Sequence, residues 1–194
     1  GSGSRRRGPV RGADIRQRVR VTFEEAAKGV KKEIKVTRNE ECSECHGTGA
    51  KPGTSKKTCP NCNGTGTVRS VQRTPFGNIM STRVCSTCQG DGEVLESPCP
   101  KCNGQGKTRK VKTIEIDIPA GIDNDQMIKL SNQGDVGSKG GPRGDLYVAV
   151  RVMPHTLFTR DGFDIYFEMP ITFAQAALGD EVEIPTLHGN VIYN

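Results

Sequence analysis

Tryptophan is absent, aromatic residues make up 5% of the 194 positions, and hydrophobic residues of every kind reach only 33%. A single large buried core is excluded at this composition, because a chain of this length would need more apolar surface to order itself around one centre. Several small units are expected instead. No apolar run approaches the roughly 18 residues of a membrane helix, and no basic-then-apolar leader stands ahead of a small-residue cleavage site. The chain therefore reads as soluble, not exported and cytoplasmic. A strong charge of one sign is also lacking, since 28 Lys and Arg against 22 Asp and Glu leave +6. Gly1-Ser2-Gly3-Ser4 reads as a tag remnant ahead of the basic Arg5-Arg6-Arg7 run.

What the chain does have is cysteine, eight of them, all between residues 42 and 106. In a reducing compartment such a density points to metal or catalytic thiols rather than disulfides. The cysteines fall in four copies of C-x-x-C-x-G-x-G: Cys42-Ser43-Glu44-Cys45-His46-Gly47-Thr48-Gly49, Cys59-Pro60-Asn61-Cys62-Asn63-Gly64-Thr65-Gly66, Cys85-Ser86-Thr87-Cys88-Gln89-Gly90-Asp91-Gly92 and Cys99-Pro100-Lys101-Cys102-Asn103-Gly104-Gln105-Gly106. Two residues between cysteines let a tight turn present both sulfurs to one ion, and the glycines tolerate positive φ where the chain passes close to the thiolates. Four half-sites make two Cys₄ sites for two Zn²⁺ per chain. A closed Cys₄ shell leaves no position for substrate, so the metal would be structural. It would replace a missing core, because few large apolar residues lie between 42 and 106 and each zinc contributes about 10 kcal/mol or more of apparent binding energy. Eight thiolates and two Zn²⁺ would lower the net charge from +6 to about +2.

Four motifs allow three pairings. If the cysteine-rich stretch leaves one strand near Glu41 and returns on its neighbour near Lys107, the nested pairing is favoured. Cys42, Cys45, Cys99 and Cys102 would then hold one ion, and Cys59, Cys62, Cys85 and Cys88 the other. Between the middle motifs, 68–73 and 78–84 flank Thr74-Pro75-Phe76-Gly77 as a hairpin with its turn at the tip. Cys42 to His46 also matches the haem-attachment pattern C-x-x-C-H, but Asn63, Gln89 and Asn103 occupy the histidine slot in the other copies.

A second regularity lies outside the cysteines. Asp14-Ile15, Thr22-Phe23, Ala26-Ala27, Gly29 and Glu33-Ile34 recur at an offset of 150 as Asp164-Ile165, Thr172-Phe173, Ala176-Ala177, Gly179 and Glu183-Ile184. Each copy reads strand, short helix, strand, with Thr22 and Glu25, then Thr172 and Gln175, as a capping box and a glycine as the left-handed stop. Further strands follow from the alternation of Ile114, Ile116 and Ile118 and of Leu146, Val148, Val150 and Val152. The expected architecture is mainly β. Residues 14–41 plus 107–157 form a two-layer β-rich domain interrupted by a cysteine-rich module at 42–106. A truncated second copy occupies 158–194, and 1–13 are tag remnant and basic linker.

Four C-x-x-C-x-G-x-G repeats inside a duplicated β-rich domain, with Thr22-Phe23-Glu24-Glu25-Ala26 and Pro119-Ala120-Gly121, resemble the DnaJ-type, class A J-domain co-chaperones of the heat-shock 40 class. The resemblance runs from about Gly12 to Asn194. It implies the nested zinc pairing, unfolded client polypeptides as ligands and a DnaK-class heat-shock ATPase chaperone as partner. The family's J domain with its His-Pro-Asp motif and its Gly/Phe-rich linker have no counterpart here, the second substrate-binding domain is cut short, and the dimerisation segment is missing. The expectation is a monomeric fragment of a homodimeric protein, one that binds clients but does not by itself stimulate the ATPase.

Client binding would use an exposed sheet edge for main-chain pairing and an apolar pocket for side chains. Ile15, Ile34, Val36, Ile114 and Val148 are the candidate pocket residues, both by alternation and by resemblance. One or two apolar anchors at about 2 kcal/mol each, less the ordering costs, give roughly micromolar affinity. A zinc-dependent nucleic-acid-binding protein is the alternative from basicity, but no recognition helix follows any C-x-x-C and aromatics are not interleaved with the basic residues. A thiol–disulfide oxidoreductase is the other, and it conflicts with thiolates already occupied by metal. No catalytic set is evident, since His46, His155 and His188 stand in turn-like contexts. Neither an enzyme nor a direct membrane or nucleic-acid partner is expected.

Overall fold

The computed structural model describes residues 8–75 and 77–194. The elements run β1 (Ile15–Val21), α1 (Phe23–Lys28), β2 (Val30–Glu41), β3 (Lys56–Thr58), β4 (Thr67–Thr74), β5 (Gly77–Val84), β6 (Glu93–Leu95), β7 (Lys107–Ile118), β8 (Met127–Leu130), β9 (Leu146–Val152), β10 (Phe158–Asp161), β11 (Asp164–Phe167), α2 (Phe173–Leu178), β12 (Val182–Thr186) and β13 (Gly189–Tyr193). The fold is mainly β, as the alternation implies. β1, β9 and β8 form one sheet in that order, and the other pairs are β2 with β7, β3 with β6, β4 with β5, β10 with β11 and β12 with β13. No helix among the described residues is long and apolar enough to cross a membrane.

The chain divides into two compact units. Among the described residues, one comprises 8–15, 37–112 and 131–146, the other 16–36, 113–130 and 147–194. In the second, period-two alternation buries Val19, Val21, Ile34, Val36, Ile116, Ile118, Val148 and Val150. Phe23, on α1, joins them through ring contacts with His155 at 5.6 Å and Phe158 at 6.1 Å. α1 starts where expected: the Thr22 hydroxyl accepts from the Glu25 N–H at 3.2 Å while the Glu25 carboxylate accepts from the Thr22 N–H at 2.8 Å. Gly29 ends it at φ 79°, and a Cβ there would stand 2.9 Å from the Ala120 nitrogen, so backbone conformation and crowding both require glycine. The same local geometry recurs 150 residues on, with Thr172 and Gln175 bonded at 2.9 and 3.2 Å and Gly179 at φ 76°. The caps repeat but the packing does not. Phe23 is 8% exposed, whereas Phe173 is 97% exposed.

In the first unit the glycine-rich stretch 131–145 is held by an antiparallel bridge between Val10 and Ser138 and by part-buried polar contacts. Asp135 accepts from the Asn39 backbone N–H at 2.6 Å and from its side chain at 3.0 Å, and Asp145, 7% exposed, pairs with Arg11 at 2.8 Å. Glu40 lies between Arg38 at 2.6 Å and Arg143 at 2.7 Å. Burial alone would raise the Glu40 carboxyl, but hydrogen bonds and charge from Arg143 and Arg38 outweigh it and hold it below its ordinary 4.5. A carboxyl depressed on folding adds stability that is present above about pH 4.5 and is lost as pH falls through the folded value. Glu40→Gln is accordingly expected to flatten the acid limb of melting temperature between about pH 6 and pH 3. An acid limb unchanged by the substitution would show that the two arginines do not act through this carboxylate.

Candidate metal centres

All eight cysteines are free thiols and all are buried. The backbone gathers them into two tetrads in the nested arrangement: Cys42, Cys45, Cys99 and Cys102, hereafter the outer site, and Cys59, Cys62, Cys85 and Cys88, the inner site. Within each, the four sulfurs lie within 4.8 Å of one another. Across the outer site Cys42 and Cys99 sulfurs are 3.9 Å apart and Cys45 and Cys102 3.6 Å. Across the inner site the separations are 3.8 Å for Cys59 and Cys85 and 3.6 Å for Cys62 and Cys88.

Those distances discriminate between chemistries. A disulfide needs sulfurs about 2.05 Å apart. Four thiolates about 2.3 Å from a central zinc stand at the corners of a tetrahedron with edges of about 3.8 Å. The tetrads therefore fit a tetrahedral thiophilic ion and could each hold one.

Each motif contributes the same parts. The N–H of its last glycine donates to its second sulfur: Gly49 to Cys45 at 3.3 Å, and Gly66 to Cys62, Gly92 to Cys88 and Gly106 to Cys102 each at 3.2 Å. The N–H of its first cysteine donates to the last-glycine carbonyl of the paired motif: Cys42 to Gly106 at 3.0 Å, Cys99 to Gly49 at 2.8 Å, Cys59 to Gly92 at 2.9 Å and Cys85 to Gly66 at 3.0 Å. Each site thus has an approximate two-fold symmetry. The crossing is so close that a Cβ on Gly49 would stand 2.3 Å from the Gly104 oxygen, one on Gly106 2.4 Å from the Gly47 oxygen, and one on Gly92 2.5 Å from the Gly64 oxygen.

Hydrogen bonds and burial pull the thiols of each tetrad in opposite directions. The Cys45 N–H, opposed by burial and helped by the Glu44 N–H, brings Cys42 down to about 7. The Cys88 N–H, again opposed by burial, acts with the Asn61 amide to bring Cys85 down to about 6. Burial pushes Cys59 and Cys99 up to about 11.

One feature of the motif escapes a reading based on glycine alone. The residue after the second cysteine is left-handed in all four copies, with φ 49° at His46, 47° at Asn63, 50° at Gln89 and 50° at Asn103. Two asparagines and a histidine among four occupants were the available signal, because short polar side chains visit this region most readily. His46 is accordingly a turn residue, 3.7 Å from Glu41. The hairpin between the middle motifs pairs Thr67 with Val84 through Thr74 with Gly77. Phe76, in the expected turn, lies outside the described residues.

The residues expected to meet a peptide are placed as follows. Ile34, Val36 and Val148 are buried, Val148 with no exposed surface, and Ile114 is half-buried on β7. Ile15 is half-buried and opens β1, an edge of its three-stranded sheet.

Comparison with known proteins bears on the whole arrangement. Residues 15–194 match the family described as the DnaJ C terminal domain. A chaperone protein DnaJ of Clostridioides difficile (strain 630) is 73% identical over 186 residues, which are 96% of this chain and 48% of that protein. Those of Ruminiclostridium cellulolyticum and Geobacillus thermodenitrificans are 55% and 56% identical over 193 residues, covering 100% and 98% of this chain and 51% of each relative. The chain spans about half the length of the curated relatives it matches.

Proposed function

Because the chain belongs to the DnaJ family, we propose that it is the zinc-holding, client-binding part of a co-chaperone, one that takes up unfolded polypeptides and passes them to a DnaK-class heat-shock ATPase chaperone. The observation that carries this reading is the pairing of a family match over residues 15–194 with two tetrads whose sulfur separations suit tetrahedral zinc. In this reading zinc occupies both tetrads and is structural: the cysteines hold it, the glycine N–H groups stabilise the thiolates, and no position remains for substrate. The fragment is monomeric and cytoplasmic, and the longer protein is a homodimer. Residues 14–41 with 107–157 are the first substrate-binding domain, 42–106 the zinc module and 158–194 the start of a second substrate-binding domain.

Clients bind as an added strand at an open sheet edge, with apolar anchors taken by a pocket to which Ile15, Ile34, Val36, Ile114 and Val148 contribute. Anchors of this size, net of ordering costs, support dissociation constants of about a micromolar. Fluorescence anisotropy with an extended apolar peptide, and in parallel with a single-stranded oligonucleotide across a salt series, tests this. Peptide binding with little salt dependence is expected. Ile114→Asp should weaken it at least tenfold with metal content unchanged, and because Ile114 is half-buried it separates contact from folding better than Val148 does. Tighter oligonucleotide binding with a steep salt slope would instead support a nucleic-acid partner.

A further inference from the structure

The two sites share their backbone pattern but differ in the side chain that reaches a sulfur across the pair. The residue before the second cysteine of one motif faces the first cysteine of the paired motif. In the inner site this is Asn61, whose side-chain amide donates to the Cys85 sulfur at 3.3 Å. In the outer site it is Glu44, whose carboxylate lies 3.9 Å from the Cys99 sulfur and 3.6 Å from the Lys101 ammonium. A zinc held by four thiolates carries a net charge of about −2, so an N–H aimed at a sulfur draws off charge, whereas a carboxylate at the same place adds to it. Lys101 offsets part of that repulsion, but Glu44 and Lys101 are both nearly half exposed, 44% and 43%, and exposed pairs couple weakly.

We infer that the two sites hold metal unequally: the outer site, facing Glu44, gives up its ion first, and the inner site, braced by Asn61, keeps its ion. The inference rests on the reading of both tetrads as zinc sites. Partners beyond the ligands themselves change metal affinity by roughly 10- to 100-fold, so release rates differing by about tenfold are expected.

The test uses the whole chain, purified with zinc, and an excess of a chromogenic chelator, with native mass spectrometry counting ions and pulsed thiol alkylation with peptide mapping locating the site that has opened. Two ions should leave in two phases, and Cys42, Cys45, Cys99 and Cys102 should be alkylated before Cys59, Cys62, Cys85 and Cys88. Glu44→Gln should slow the first phase several-fold, and Asn61→Asp should accelerate the second toward the first. Both positions are exposed, so neither substitution removes packing. Two ions leaving in a single phase, or inner cysteines alkylated first, would overturn the inference while leaving the zinc reading in place. Fewer than two ions per chain at the outset would overturn both.

Discussion

Stripping metal from the chain at neutral pH is expected to unfold residues 42–106 while β1, α1, β8 and β9 stay folded. The four cysteine motifs are joined by short strand pairs, and apart from the thiols the module buries little: Ala50 is its one other fully buried apolar residue among those described, while Val71, Ile79, Met80 and Val84 on the hairpin are exposed. Val68 and Val94 pack only partly against the inner tetrad. With roughly 10 kcal/mol or more per ion removed, nothing of comparable size remains to offset backbone entropy of about 1–2 kcal/mol per residue. Amide exchange after chelation should show protection lost across 42–106 and kept in β1 and β9; retained protection in the module would mean that its loops order without metal. The reverse titration has a proton signature. In the unfolded module the thiols keep ordinary values of about 8.5, so at pH 7.5 most of the eight are protonated and must release their protons to bind metal. Zinc uptake should therefore liberate several protons per chain, read from calorimetry in buffers of different ionisation enthalpy, and falling pH should drive metal out.

The second large effect concerns single methyl groups. Gly49→Ala or Gly106→Ala would place a Cβ 2.3 or 2.4 Å from a carbonyl oxygen of the paired motif, at φ 77° and 73°. The obstruction is backbone on both sides, so it can be relieved only by separating the two halves of the outer site. A loss of about 3 kcal/mol or more, together with loss of one ion per chain, is expected. Gly47→Ala is the contrast. Its φ is 82°, but the nearest atom is a Glu41 side-chain carbon at 3.7 Å, so it should incur only the left-handed penalty of about 1–2 kcal/mol and keep both ions. Equal effects at Gly47 and Gly49, measured by metal content and thermal melting, would show that crowding between motifs plays no part.

The same residues show how far sequence reasoning reaches. Thr22, Glu25 and Gly29 announce a capped helix because a capping box is a local device whose parts lie within one turn, and its repetition at Thr172, Gln175 and Gly179 was legible for the same reason. The C-x-x-C spacing is local too. The nesting of the motifs needed one further premise, that strands flanking the cysteine stretch are neighbours, and β2 does pair with β7. What the alternation could not convey is how far each apolar residue is buried: Ile114 and Ile116 look equivalent in sequence, yet the first is half-buried and the second has no exposed surface. Nor was the tethering of 131–145 visible, because Asp145 finds Arg11 at a separation of 134 residues and Asp135 finds Asn39 at 96. Long-range polar contacts carry no period.

The nested pairing also has a bearing on how the chain is made. Cys59 and Cys85 are 26 residues apart, whereas Cys42 and Cys99 are 57 apart, a difference in closure entropy of only about 0.7 kcal/mol. Vectorial synthesis decides more than that small term. Once Cys88 has left the ribosome the inner tetrad has all its donors, and its capture of an ion shortens the span that the outer one must close. Cys42 and Cys45 meanwhile wait, half a ligand set, until Cys99 and Cys102 emerge. The last motif translated supplies the final two donors and is the clasp that completes the module.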